Sequence, residues 1–469
     1  MSKMKTSVLA GAFICTPLVL GMQSAMAQPV PGGTLDPLTI PKYVTPLVIP
    51  PVLHDDGAAP MNVSVALRQI TQQVLPAGFP ATPLWAYGDP ANPATFNNPG
   101  FTIEVTKDVP TTVTWRNELV DATGAFLPHI IQDAAGNPIV DQTLHWAAPN
   151  QDCLDGIPRT DCRGASDQPY TGPIPMVTHV HGAHVGPISD GYPEAWWLPD
   201  ANNIPAGYAT TGTFYDTTAP AAPGTAVYSY TNDQPTTTLW YHDHSLGMTR
   251  LNVYAAGAGF WMIRDALDGE TGLLAGVLPG PAPKAGDSAA ALNTLGDPVR
   301  GAIREIPIAI QPKSFNANGT QYYPADRAFF EGLGTGGIFA DNTDVNIPFL
   351  PQSSSDIAPV WNPEAFFNTM VVNGSTWPVM EVAPEQDRLR FVNASDSRFL
   401  NLELHQVNGQ GTKLREIPFY QIGSEQGLLP ADVRIESGFA TTLPGDGTDV
   451  NPKSRDCLLP CLLYTSPSP

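Results

Sequence analysis

Charge is scarce in this sequence. Only 14% of its 469 residues are charged, and basic residues are the scarcer kind, 23 against 44 acidic, for a formal net charge of −21. A surface of that sign repels nucleic-acid backbones and anionic membrane faces at long range, so nucleic acid is not expected as a partner. Long apolar runs are also lacking. After the first 27 residues no stretch approaches the ~20 apolar residues that span a bilayer as a helix, so no membrane span is expected in the mature chain. Cysteines number five, and convincing long amphipathic helices are absent.

Turn formers are plentiful instead. The chain has 42 glycines and 50 prolines, below the ~25–30% of low-complexity chains but suited to many short strands joined by turns. Phe101, Ile103 and Val105 alternate with polar residues, as do Val113 and Trp115, and Ala226, Tyr228 and Tyr230. Period-two alternation predicts half-buried strands and an all-β fold. Further strands are expected at 259–263, 305–311, 369–372 and 389–393. The length allows two or three domains of about 100–200 residues each. A Gly/Ala/Pro-rich stretch, including Pro279-Gly-Pro-Ala-Pro283, separates two β-rich regions, which gives one domain over 36–268, a linker or mobile loop over 269–300 and a second domain over 301–450.

Lys3 and Lys5, the apolar run Val8–Gly21 and then Ala25-Met-Ala27 have the order of a signal-peptidase substrate, so residues 1–27 are expected to be removed and the protein to be periplasmic or secreted. Cys15 leaves with that segment. Cys153 and Cys162 flank a loop with Gly156 and Pro158, and an oxidising compartment makes them a local disulfide.

Nine histidines are present. Four form two His-x-His pairs, His179-Val-His181 and His242-Asp-His244, each after a strand-like run. Residues two apart on a strand share a face, roughly 6.5–7 Å apart, so each pair can present two imidazoles in parallel. With metal–nitrogen bonds of ~2 Å, two facing pairs could frame a small metal cluster, although imidazole alone does not choose among copper, zinc, iron and nickel. His54, His129, His145, His184 and His405 follow no ligand pattern and are expected at the surface or hydrogen-bonded in the core.

The segments Thr178-His-Val-His-Gly182, with Ser189-Asp-Gly-Tyr-Pro-Glu-Ala-Trp196, and Leu239-Trp-Tyr-His-Asp-His-Ser245, with Thr249-Arg-Leu-Asn-Val-Tyr254, resemble the first and second copper-binding motifs of multicopper oxidases. Within that family the likeness is to bacterial laccases of the spore-coat and bilirubin-oxidase-like group. Val371-Val-Asn-Gly374, Arg390-Phe-Val-Asn-Ala394, Gln421-Ile-Gly-Ser424 and Gly427-Leu-Leu-Pro430 look like that group's middle domain. The resemblance implies cupredoxin-like Greek-key β-sandwiches, one complete and a second largely complete. It makes His179 a ligand of the type 2 copper and His181, His242 and His244 ligands of the type 3 pair. Asp190 matches an acidic position that assists proton delivery, and before Gly191 it also reads as a turn former. The implied activity couples one-electron oxidation of a small reducing substrate (a phenol, aromatic amine, bilirubin-like pigment or metal ion) to four-electron reduction of dioxygen to water.

The sequence departs from the family where a third domain would supply the type 1 copper and the remaining cluster ligands. Neither a His-Pro-x-His-x-His nor a His-Cys-His motif occurs, and the last histidine is His405. The chain therefore reads as a fragment, inactive alone. Residues 451–469, with Cys457 and Cys461, end in a run resembling a translated sequencing adaptor and are set aside as non-native. Three other readings compete. A cupin dioxygenase wants a glutamate a few residues past the first pair, where the first acidic residue is Asp190, and a zinc enzyme leaves the second pair unexplained. A non-catalytic periplasmic copper-binding or storage protein would keep all four histidines.

Overall fold

The structure, a computed structural model, describes residues 33–324 and 367–435, apart from 55–59, 134, 154, 164–165, 167, 219–220, 256, 269–271, 397 and 426. The expected leader and the tail with Cys457 and Cys461 lie outside the described residues.

Strands dominate. The first part of the chain carries β1 (Val52–His54), β2 (Met61–Gln72), β3 (Thr82–Gly88), β4 (Gly100–Thr106), β5 (Thr111–Asn117), β6 (His145–Ala147), β7 (Asp161–Arg163), β8 (Thr178–His181), β9 (Thr225–Tyr230), β10 (Thr237–Asp243) and β11 (Ala258–Arg264), with one short helix, α1 (Thr249–Tyr254), between the last two. Two sheets form, ordered β1-β4-β11-β10-β8 and β3-β2-β5-β9. Alternation decides which side chains meet between them. In β5, Val113 and Trp115 are buried while Thr112, Thr114 and Arg116 are half-buried, so the strand offers one apolar face. Trp115, Tyr87, Tyr241 and Trp261 fill the space between the sheets, and the polar tips find acceptors: Tyr241 Oη donates to the Phe101 carbonyl at 2.8 Å. Glycine makes room for that ring, since a Cβ on Gly259 would sit 2.2 Å from Tyr241 Oη. The all-β class is the class observed, with these two sheets packed face to face.

The second part carries β12 (Glu305–Phe315), β13 (Gln321–Tyr322), β14 (Thr369–Val372), β15 (Ser375–Thr376), β16 (Arg388–Asn393) and two hairpins, β17 (His405–Val407) with β18 (Lys413–Glu416) and β19 (Phe419–Ser424) with β20 (Gly427–Ile435). Strand β12 pairs with β13, β14 and, in parallel, β16. It is buried along its whole length because both faces are covered. Ile306, Ile308 and Ile310 pack with Leu47, Ile49 and Leu292. Ala309 on the other face meets Trp240, Phe260 and Met262 of the first sandwich.

The same contact holds a buried ionic cluster. Arg264 reaches Glu104 and Glu305 at 2.7 Å each, Arg388 reaches Asp268 at 2.7 Å, and Arg390 bridges Asp268 and Glu305. Three guanidinium groups and three carboxylates thus balance. Burial alone would raise the Asp268 carboxyl, but hydrogen bonds from Arg388 and the charges of Arg390 and Arg264 outweigh it and hold the group below the carboxylate range.

Residues 269–300, expected as a linker or mobile loop, carry two short helices in their described part, α2 (Ala289–Asn293) and α3 (Pro298–Ala302). Local chemistry starts both. Ser288 Oγ accepts from the Ala291 amide and Asp297 from the Val299 amide, with Pro298 at the first helical position. Leu292 is then fully buried. The expected local disulfide, Cys153–Cys162, is formed, and Cys162 lies across from Trp146 in the β6–β7 hairpin.

Candidate metal centre

Strands β8 and β10 are antiparallel neighbours, with His179 opposite His242 and His181 opposite Trp240. The two histidine pairs therefore come together at one end of a sheet. On β10, Leu239, Tyr241 and Asp243 point into the sandwich and Trp240 and His242 point away, as period two requires. Trp240 stacks on His181 at 5.7 Å and packs against His242 at 4.3 Å between ring centroids, an aromatic wall behind the imidazoles.

One nitrogen from each of His179, His181 and His242 lies within 4.8 Å of the others. His244 follows the end of β10 and brings its ring to 5.0 Å from His179 and 5.9 Å from His242. The expectation of parallel rings within each pair is corrected. His179 and His181 stand at 78° to each other, and His242 and His244 at 57°. A shared strand face fixes where side chains start, while ring orientation follows each ring's own hydrogen bond.

Those bonds are visible. His179 Nδ1 donates to the Asp190 carbonyl and His242 Nδ1 donates to the Asp243 carbonyl at 2.7 Å, which leaves both Nε2 atoms as acceptors. His242 Nε2 faces His181 Nδ1 across 3.4 Å. His244 Nδ1 is buried with no hydrogen-bond partner. Burial and then the neighbouring His179 push His181 down to about 4, and burial with His179 and His181 does the same for His244, to about 4. Burial first, then His179, holds His242 well below the usual histidine value. Three imidazoles held neutral, His242 buried and His181 and His244 half-buried, one with an orphaned nitrogen, are a donor set that a metal ion fits.

Asp190 ends a short 3-10 turn (Pro187–Ser189) beside β8. Its carboxylate lies 3.5 Å from His179 Nδ1. Gly191 makes that approach possible: its φ is +77°, and a Cβ there would lie 2.3 Å from the Thr178 carbonyl oxygen.

The other histidines behave otherwise. His129 is fully buried, accepts from the Ile131 amide at 3.1 Å and donates to Asn252 Oδ1 at 3.2 Å. His184 meets Asp233 at 2.8 Å in the open, His145 lies 3.6 Å from Asp161, and His405 pairs with Glu403. The side chain of His54 lies outside the described residues. Sequence reasoning missed one group beside the centre, the carboxylate of Asp243, which points into the sandwich. Its signal was a charge between two same-face histidines, hence on the buried face.

A sequence profile described as multicopper oxidase matches residues 205–268, which include the second histidine pair. The laccases of Bacillus stratosphericus and of Bacillus subtilis (strain 168) are each 30% identical to the chain, over 402 and 403 residues, covering 85% of this chain and 57% of theirs. The chain is thus similar to multicopper oxidases over most of its length. The chain spans little more than half the length of those relatives. Among solved structures, McoA multicopper oxidase from the hyperthermophile Aquifex aeolicus aligns with 83% of this chain and 54% of its own, at 18% identity and a TM-score of 0.47. Copper is the metal the family implies, and these three neutral imidazoles accommodate it. No helix among the described residues is long and apolar enough to cross a membrane.

Proposed function

We propose that this chain provides half of the copper cluster of a laccase-like oxidase, in which oxidation of a phenol, aromatic amine, bilirubin-like pigment or metal ion is coupled to reduction of dioxygen to water. The observation that carries the reading is the direct cross-strand pairing of His179 with His242, flanked by His181 and His244. His179 would hold the type 2 copper, and His181, His242 and His244 the type 3 pair. Copper, when bound, supplies the one-electron steps by which four electrons reach dioxygen. The protein's own part is to orient four imidazoles, to keep His181, His242 and His244 unprotonated, and to pass protons. Asp190, partly exposed and 3.5 Å from His179 Nδ1, would relay protons from solvent toward the cluster.

The type 1 copper and the remaining cluster ligands would come from a third domain, beyond domains at 36–268 and 301–450. Absence of the His-Pro-x-His-x-His and His-Cys-His motifs supports that division, and the Cys153–Cys162 disulfide supports export to an oxidising compartment. The test is oxygen uptake with a phenolic dye and added copper. The 469-residue chain is expected to show none, and the gene product extended to its natural stop codon to turn over. Turnover by the short chain overturns the fragment reading. Copper binding without turnover by the extended protein favours storage instead.

A further inference from the structure

Asp243 sits between two ligand candidates, yet its side chain points the other way, into the sandwich, and it is 1% exposed. Both oxygens are fully used. Oδ1 accepts from the Ser245 amide at 3.0 Å and Asn252 Nδ2 at 2.8 Å. Oδ2 accepts from the Val177 amide at 3.0 Å and Ser245 Oγ at 3.0 Å. These donors come from three segments: the residue just before β8, the turn that carries His244, and helix α1. Asn252 is itself oriented by buried His129, whose Nε2 donates to Asn252 Oδ1 at 3.2 Å, and it also reaches the Pro175 carbonyl at 3.3 Å. The His244 amide closes the loop on the Val177 carbonyl at 2.8 Å. Position 177 is thus gripped at both its N–H and its C=O by residues 243 and 244, two residues ahead of His179.

Resting on the copper-binding reading above, we propose that Asp243 is a positioning residue: its carboxylate clamps the entry of β8 to the turn after β10, setting the spacing between His179-Val-His181 and His242-Asp-His244 before any ion arrives. The geometry explains why an acid occupies this place. Four donors converge, and only a carboxylate offers acceptors to all of them without presenting a donor of its own. An asparagine must aim its NH2 either at the Ser245 and Asn252 donors together or at the Val177 amide and the Ser245 hydroxyl. The second choice is the milder, because the hydroxyl can turn to accept, and it leaves the Val177 amide without an acceptor.

The full chain with Asp243→Asn tests this through Cu²⁺ titration followed by EPR and through amide hydrogen exchange. Cu²⁺ affinity is expected to fall about 10- to 100-fold, the cost typical of losing an outer-shell partner, with exchange accelerated over residues 177–181 and unchanged over β4 and β11. A general loss of packing would instead speed exchange in all three strands, and that result, or affinity within twofold of the parent, overturns the proposal. Should Asp243→Asn fail to fold, Ser245→Ala removes one donor only; a several-fold affinity loss supports the clamp, and parental affinity overturns it. A parent chain that binds no Cu²⁺ refutes the copper reading rather than the clamp alone, so the two failures are distinguishable.

Discussion

Replacing His242 with alanine is expected to weaken Cu²⁺ binding by about a hundredfold or more, beyond the 10- to 100-fold typical of outer-shell partners. The reason is its place: it faces His179 across the sheet, offers an acceptor Nε2 3.4 Å from His181 Nδ1, and is buried on Trp240. His184→Ala is the control. That ring is exposed and engaged with Asp233, so affinity should not change. The pH profile carries the same signature. Protons compete with copper for a ring nitrogen, and ordinary histidine would begin to lose that contest near its usual ~6.5. His181 and His244 are held down to about 4. They stay unprotonated between about pH 6.5 and 4, so their contribution to affinity is level down to pH ~5 and lost as pH approaches 4. Titration calorimetry across that range checks both parts, and equal losses in His242→Ala and His184→Ala would contradict the assignment.

Glu305→Ala is expected to cost about 3–5 kcal/mol of stability, measured by urea unfolding. Removing one partner from a buried ionic cluster leaves uncompensated charge, which costs far more than the intact cluster contributes. Glu305 serves both Arg264 and Arg390, and the alanine leaves three guanidinium groups facing two carboxylates. Replacing the exposed partner Glu385, whose side chain is 62% exposed beside Arg304, is expected to change stability by less than about 1 kcal/mol. A small effect at Glu305 would mean that solvent reaches the cluster and that the contact between β12, β16 and the first sandwich is loose.

Legibility in the sequence followed the length scale of the signal. Strands at 101–105, 113–115, 226–230, 259–263, 305–311, 369–372 and 389–393 were readable because alternation is local, and all lie within observed strands. Alternation does not say which face turns inward. In β16 the apolar Leu389 and Phe391 are exposed while Arg388 and Arg390 are buried, a choice made by carboxylates distant in sequence. The two histidine pairs were readable as ligands, and their convergence is a consequence of strand pairing that no single segment specifies. Ring orientation, the orphaned nitrogen of His244 and the Asp243 clamp depend on contacts among residues 129, 177, 190, 243, 245 and 252, most of them far apart along the chain.

The central claim is that imidazoles from both strands share copper. Pulsed EPR of the Cu²⁺-loaded full chain counts the imidazole nitrogens on each ion most directly. An ion coupled to at least two imidazoles is expected, with one coupling lost in His181→Ala and another lost in His242→Ala. A spectrum showing a single imidazole, or one unchanged by either substitution, would contradict the account.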